Sequence, residues 1–472
     1  MKKNRLLIVF LVLLSLLPSL GAKTLDEIIE AAEEASPSYQ NVLLTYQNGL
    51  LNISTLEEED SVGVEVSASV NPLSEVYSDG TTTPAMADSS SKGITVSPSV
   101  TVTLPNNGKT TISGGTSITS RYSDGKTSVS GNVGVSHTFD FTGYDEDHAD
   151  DLNYTSTKYS TEMTYRKSEL SFRKSVISTI SSIISLESSL EQSKYSLSKQ
   201  QKAVDKMKTL GTYSETSATY LNAVNVLDSY KSSYEALEEQ YTNLLTTYTT
   251  LTGLEWDGID GLEAPTLTLT TYENGNTSVL IQSLSAESSE ETYRKTLSTV
   301  NPSSLSTSLN ADISSSSDVM LSGKATYTAS NWSVSVTPGF SISSSGSTTP
   351  SVTISGTWRN KSTSSSNSVN SAINEAQMAQ NSYLEALSSY NEEASSYALQ
   401  ILQWNSKKSQ KEAELEYKKT LLDNEQSLYD LGLTTSDSLE EAKMNYELCQ
   451  KEWNQVILEG LSLECDLEIF AL

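Results

Sequence analysis

The sequence predicts an internally duplicated α+β membrane protein in which transmembrane β-barrel strands alternate with very long coiled-coil α-helical hairpins. Three observations predict it. First, two helical stretches of about 60 residues, 152–210 and 372–431, end in matching tips, Leu210-Gly211-Thr212-Tyr213-Ser214 and Leu431-Gly432-Leu433-Thr434-Thr435. At ~1.5 Å rise per residue each is on the order of 90 Å long, far more than a compact domain needs. Second, each is preceded by segments alternating strictly between apolar and Ser, Thr or Gly positions. Third, the order helix, strands, long helix, tip and shorter helix occurs twice, and duplication of a whole order is much stronger than duplication of one motif.

At the start, Lys2, Lys3 and Arg5 precede an apolar run at 6–17 and then Pro18-Ser19-Leu20-Gly21-Ala22. A basic segment, a short apolar run and a small-residue cleavage site predict a signal peptide over 1–22, cut near Gly21 or Ala22. The run is too short to span a bilayer as a helix. No later segment is apolar enough either, so entry into a membrane would have to be as strands. The first repeat, 23–253, opens on a helix over 24–56, with Thr24 and Glu27 spaced as a capping box and Pro37 predicting a kink or a break. Over 61–141 the period becomes two: Val62, Val64, Val66 and Val70, then Ile94, Val96, Val100 and Val102, then Ile112 and Ile118 with Tyr122 in register, then Val129, Val133, Val135, His137, Phe139 and Phe141. The turns at 105–108 and 124–125 carry Asn-Gly and Asp-Gly. Aromatics near the strand ends fit a transmembrane barrel, yet a soluble sandwich also alternates, and this region by itself leaves both open.

Glycine after the last apolar position is the expected left-handed helix cap, and Ser or Thr beyond it can cap a returning helix. That return helix, 214–252, places Tyr220, Val224, Leu227, Tyr230, Tyr234, Leu237, Tyr241, Leu244, Tyr248 and Leu251 at a mean step near 3.5, a coiled-coil seam. A Gly- and Pro-containing connector, 254–275, leads to the second repeat, 276–472. It comprises a helix at 277–297, strands within 305–358, a polar linker at 362–368, the long helix at 372–431 and a last helix at 436–468. Tyr327, Trp332 and Trp358 fall at strand ends, where a membrane interface favours amphipathic rings. The second seam is Ala376, Ala379, Tyr383, Ala386, Tyr390, Ala394, Tyr397, Ile401 and Trp404.

Composition narrows the function. With 31 Lys+Arg against 59 Asp+Glu, the formal charge is -28, which disfavours nucleic acid and anionic lipid surfaces as partners. Cys449 and Cys465 share the last helix roughly 24 Å apart at ~1.5 Å per residue, beyond disulfide reach. No phosphate-binding glycine loop or HExxH occurs, and two histidines leave little for acid–base catalysis, so no enzyme, metal or cofactor is expected. His148 lies among Asp145, Glu146, Asp147 and Asp150, a pattern that a solvated helix start explains more simply than a metal site.

The two tips, with Asp437-Ser438-Leu439-Glu440-Glu441-Ala442 entering the last helix, carry a resemblance to the TolC-like outer-membrane efflux proteins over nearly the whole mature length. The resemblance implies a homotrimer whose strands close one outer-membrane barrel and whose helices form a periplasmic tunnel. It also implies an adaptor (membrane fusion) protein and an inner-membrane transporter as partners, and no chemistry by the duct itself. Two departures stand out. The simplest members place two strands in each half, against four here, so either the barrel is larger or the extra strands form extracellular hairpins. The family's gate often includes acidic rings held by basic partners near the tip, and here Asp437 lies one residue nearer Gly432 than the resemblance implies and the first tip has only the acid Glu215.

Asp437, Glu440 and Glu441 are the candidates for a pore constriction, where three chains would gather up to nine carboxylates that attract cations and raise one another's pKa values. The plainer reading is that acids in a first helical turn favour the helix dipole. Leu210, Gly211, Thr212, Leu431, Gly432 and Leu433 are candidates for adaptor contact, alongside the glycines' capping role. Tyr122, Phe139, Phe141, Tyr327, Trp332 and Trp358 are candidates for the membrane interface. The rival is an exported coiled-coil adaptor or surface-binding protein, which needs no second matched strand set.

Overall fold

The computed structural model describes residues 22–59, 63–76, 91–104, 110–121, 126–141, 143–211, 214–314, 318–329, 331–358 and 363–472. Most of the expected leader, Tyr122, Thr212 and the turns at 105–108 and 124–125 lie outside them. In chain order come α1 (Leu25–Ala35), α2 (Pro37–Glu59), β1 (Gly63–Val76), β2 (Ser91–Thr103), β3 (Thr110–Arg121), β4 (Thr127–Asp140), α3 (Glu146–Thr209) and α4 (Ala218–Thr252). Then follow α5 (Thr277–Val300), β5 (Ser304–Ile313), β6 (Val319–Ala329), β7 (Trp332–Ile342), β8 (Thr348–Trp358), α6 (Thr363–Asp430) and α7 (Ser436–Ala471). The chain divides into a helical unit, drawn from Met1–Asn48, Thr161–Ser278 and Ser388–Leu472, and a strand-bearing unit, Gly49–Ser160 and Val279–Leu387.

Local chemistry sets the helix ends. The Thr24 side chain accepts from the Glu27 amide and Glu27 reciprocates, closing the capping box of α1. Pro37, without an amide proton to donate, is tolerated only in a first turn, so it starts α2 and splits the pair at Ser36. Three expected bounds shift. Ser217, rather than Ser214, caps α4, because Ser214 is bonded to Thr216 in a turn. α3 begins at Glu146, six residues ahead of the expected 152, with Glu146 and Asp147 in its first turn, where acids favour the helix dipole. The serines expected to form a linker at 362–368 are helical from Thr363 onward. Their propensity deficit of a few tenths of a kcal/mol each does not stop a helix already propagating from an ordered seam.

In the helical unit, Ile28, Ile29 and Ala32 of α1 meet Phe172, Val176, Ile177, Ile180, Ile183 and Ile184 of α3, Tyr248 of α4, and Leu458 and Cys465 of α7 in one buried cluster. Successive apolar positions on α3 fall three and four apart and so present one stripe. Tyr241 of the α4 seam donates to Glu187 at 2.8 Å, as does the Trp256 indole, while Lys451 reaches Glu191. Burial, then the Glu187 partner, pushes the Tyr241 phenol upward. A second cluster packs Trp404 of α6 on Leu463 and Leu467 of α7. Gly460 is required beneath it, since a Cβ there would collide with the Trp404 ring while the ring's N–H is committed to the Val456 carbonyl at 2.9 Å. Both cysteines are free and buried, and burial pushes the Cys465 thiol up to about 11.

The strand-bearing unit contains one eight-stranded antiparallel sheet in the order β1-β2-β3-β4-β5-β6-β7-β8. The two repeats join through β4 and β5, with Val133 opposite Ala311 and Val135 opposite Leu309. Residues opposite one another in a ladder share a face. One row reads Val66, Val100, Gly114, Val133, Ala311, Leu321, Phe340 and Pro350 across all eight strands. The adjoining row on the other face reads Glu65, Thr101, Ser113, Gly134, Asn310, Ser322, Gly339 and Ser351. Among the described residues β1 and β8 have one strand neighbour each, so this sheet is open.

Candidate functional site

The sheet's two faces divide its chemistry cleanly. Val64, Val66, Val70, Val133, Leu309, Leu321, Phe340, Val352 and Ile354, all on the apolar face, are exposed. A soluble sandwich would bury this face under a second sheet, and the described strands form a single one. On the opposite face hydroxyls bridge neighbouring strands, Ser67 to Ser99 at 2.8 Å, Thr111 to Ser136 at 2.6 Å and Ser335 to Ser355 at 2.7 Å. Such a surface is content in water, while its reverse is content in hydrocarbon.

The aromatic candidates among the described residues gather at one end of the apolar face. Trp332 pairs directly with Trp358, and Tyr327 lies against Trp332 with ring centroids 5.5 Å apart. Phe139 lies opposite Leu305, which in turn lies opposite Tyr327, and the Phe141 amide continues the β4–β5 ladder by donating to Ser303. This is the end at which α2, α3, α5 and α6 join the strands. His137 is held by Thr110 at 2.6 Å and edges onto Phe139, and His148 meets Glu287 at 3.1 Å.

At the second tip the Leu433 amide donates to Leu428 and that of Gly432 to Tyr429, the paired bonds of a Schellman cap, with Gly432 at φ 69°. Gly211 repeats the second of these bonds, to Lys208, at φ 58°. Leu210, Leu431 and Leu433 project into solvent, with Leu431 72% exposed. Two exposed leucines flanking a cap glycine are apolar surface that capping alone does not require.

The acids do not stand alone. Lys202 of α3 donates to Asp437 at 3.0 Å and to Glu440 at 3.1 Å. Glu441 accepts from Tyr195 at 3.2 Å and lies 3.7 Å from Lys199. The hydrogen bonds to Asp437 and Glu440 hold the Lys202 ammonium above the ordinary lysine range. The basic partners of these acids lie about two to three turns before Gly211 on α3, and Glu215 at the first tip is itself 3.8 Å from Lys208. Sequence reasoning missed these lysines, although a signal was present. Lys194, Lys199, Lys202, Lys206 and Lys208 crowd fifteen residues of a chain with only 31 Lys+Arg. The helix-dipole reading also holds, since Asp437 is in the first turn of α7 behind the Thr435 cap.

One trio of potential metal ligands, Glu414, Cys449 and Glu452, occurs among the described residues. Lys411 already occupies it, 2.7 Å from Glu414 and 2.6 Å from Glu452. Burial alone would depress this lysine, and the two carboxylates outweigh it and raise its pKa.

Comparison with known proteins places the fold. Residues 75–270, less than half the chain, match the family model described as the TP096X N-terminal domain. No curated protein matches. Among solved structures, a membrane protein from Pseudomonas aeruginosa superposes with a TM-score of 0.52 at 11% identity, over 95% of this chain and 90% of that one. CusC, described in connection with transmembrane channel formation, gives 0.50 at 12% identity, over 97% and 95%. The outer membrane protein VceC from Vibrio cholerae gives 0.49 at 16% identity, over 95% and 96%. The first two define the class: a helix-rich chain with an antiparallel sheet, sharing the fold of solved membrane proteins, CusC among them.

Proposed function

We propose that the protein is the outer-membrane exit duct of a tripartite efflux or type I secretion system, a passive conduit for small molecules or proteins. It works as a homotrimer, its strands in outer-membrane lipid and its helices in the periplasm. Leu210, Gly211, Thr212, Leu431, Gly432 and Leu433 meet a periplasmic adaptor coupled to an inner-membrane transporter, and Asp437, Glu440 and Glu441 line the constriction. The observation that carries the reading is the eight-stranded meander with an exposed apolar face and a hydroxyl-rich reverse. An adaptor or adhesin has no use for a bare apolar sheet of that extent. Fractionation tests it: detergent-resistant, heat-modifiable trimers in the outer membrane are expected, and a soluble monomer released by osmotic shock overturns it.

The tip assignment makes predictions of opposite sign. In planar bilayers Asp437→Ala with Glu440→Ala is expected to lower cation selectivity. Lys202→Met, which frees the same two carboxylates, is expected to raise it. Because the lysine's pKa is raised, its contacts are intact at neutral pH and are lost as pH climbs past that value. The wild type should therefore approach the Lys202→Met behaviour in strong alkali. Unchanged selectivity in both variants would remove the constriction from the tip.

A further inference from the structure

We infer that all eight strands of each chain stand in the barrel wall, with β8 of one copy paired to β1 of the next. Resting on the trimer reading above, three chains of eight strands then close a barrel of 24. The inference starts from the edges. β8, Thr348–Trp358, carries no charged residue, and all eleven of its positions are exposed. An edge strand left open in the mature protein is ordinarily blunted by charge, because a bare one templates aggregation. In a bilayer the requirement is absolute, since no water is present to satisfy unpaired amides and carbonyls. Of the residues that blunt an edge β8 carries only Pro350, near its start, and in a bilayer its missing neighbour must itself be a strand.

A second copy supplies that neighbour without a defect. Eight is even, so β8 runs antiparallel to β1, and a β8–β1 joint continues the alternation found at every other pairing. The faces agree as well. Val64, Val66 and Val70 of β1 and Val352 and Ile354 of β8 lie on the same apolar face, so a ring of copies keeps one side apolar throughout. The joint is head-to-tail, and a head-to-tail joint closes by rotation into a ring. Nothing in the pairing sets any strand aside as a projecting hairpin. The registers extend along the strands, and the β4–β5 seam joins the two repeats over Gly131–Asp140 as fully as β2–β3 or β6–β7 join within a repeat.

The size of the pore follows. At ~4.8 Å between strands and a tilt of ~40°, 24 strands give a barrel about 48 Å across between backbones, against about 24 Å for twelve. A wall that wide is an open vestibule, and discrimination falls to the helices.

Paired cysteines and imaging test this on the full-length protein in its membrane. Val66→Cys is combined in turn with Val352→Cys, Ile354→Cys and Gly356→Cys, a scan that covers the same-face registers around one position. The native thiols, buried and with Cys465 held high, leave the parent silent under oxidant. At least one pair is expected to convert most of the protein into covalent dimers and trimers that survive boiling, with the ladder ending at three. Images should show a barrel near 48 Å. A faster-migrating cross-linked monomer would mean that one chain closes alone, and would overturn the inference. Trimers with no cross-link in any pair and a barrel near 24 Å would also overturn it while leaving the duct reading intact. A water-soluble chain without trimers would remove both.

Discussion

Val133→Arg is expected to lower the stability of the membrane-inserted protein by about 2–4 kcal/mol, the cost of a cation on the lipid face of a barrel near its midplane. Val133 is 59% exposed and sits in the middle of the apolar row between Gly114 and Ala311. Exposed in this way, it makes few contacts whose loss could account for such a penalty. The cost would come from the surroundings rather than from the fold. Ser322→Arg supplies the control, because Ser322 lies in the row of the opposite face, between Asn310 and Gly339. It is expected to leave the folded fraction within about 0.5 kcal/mol of the parent, as surface changes do. Urea titration of the heat-modifiable form in lipid vesicles reads both. Equal effects would mean that the valine face does not meet hydrocarbon.

Leu458→Ala is expected to cost about 2–5 kcal/mol in the helical unit, by lost burial plus the cavity left behind. Leu458 is 0% exposed, in the buried cluster that also takes Ile28 and Ile29 from α1, the α3 isoleucines and Cys465 from its own helix. Around so complete an enclosure the walls cannot easily relax, which places the effect toward the upper part of the range. Leu428→Ala removes the same atoms at a site 39% exposed and should cost under about 1 kcal/mol. Thermal unfolding followed by circular dichroism compares the two, and equal shifts would show that the cluster is not the unit's core.

Much of the architecture was legible because its signals are periodic. The seam from Ala376 to Trp404 emerges as the inward stripe of α6, with Tyr390 and Trp404 buried, since spacing alone determines which residues share a helical face. Strand alternation likewise fixed which residues share a sheet face. It could not say whether that face meets a second sheet or lipid, because both demand the same residues. The pairing order adds that the described strands form one sheet. Helix starts were less legible: Ser214 and Ser217 are equivalent as cap formers, and a local hydroxyl bond to Thr216 separates them. The tip was the least legible. Asp437 stands out by its distance from Gly432, whereas Lys202 precedes it by more than two hundred positions, and only the return of the chain brings them within 3.0 Å.

The seam between the repeats bears on how the sheet comes into being. Within β1–β4 and within β5–β8 each strand meets its sequence neighbour, so both meanders can zip locally. The β4–β5 joint links groups 170 positions apart, as where Thr307 reaches the His137 carbonyl, and nearly the whole of α3, α4 and α5 lies in the intervening span. Closing so long a span adds only about 0.6 kcal/mol for each doubling of its length, so the penalty falls on speed more than on final stability. A newly made chain would therefore carry the first meander alone, its apolar surface on view, until the second emerges, and that interval is when it is most open to aggregation.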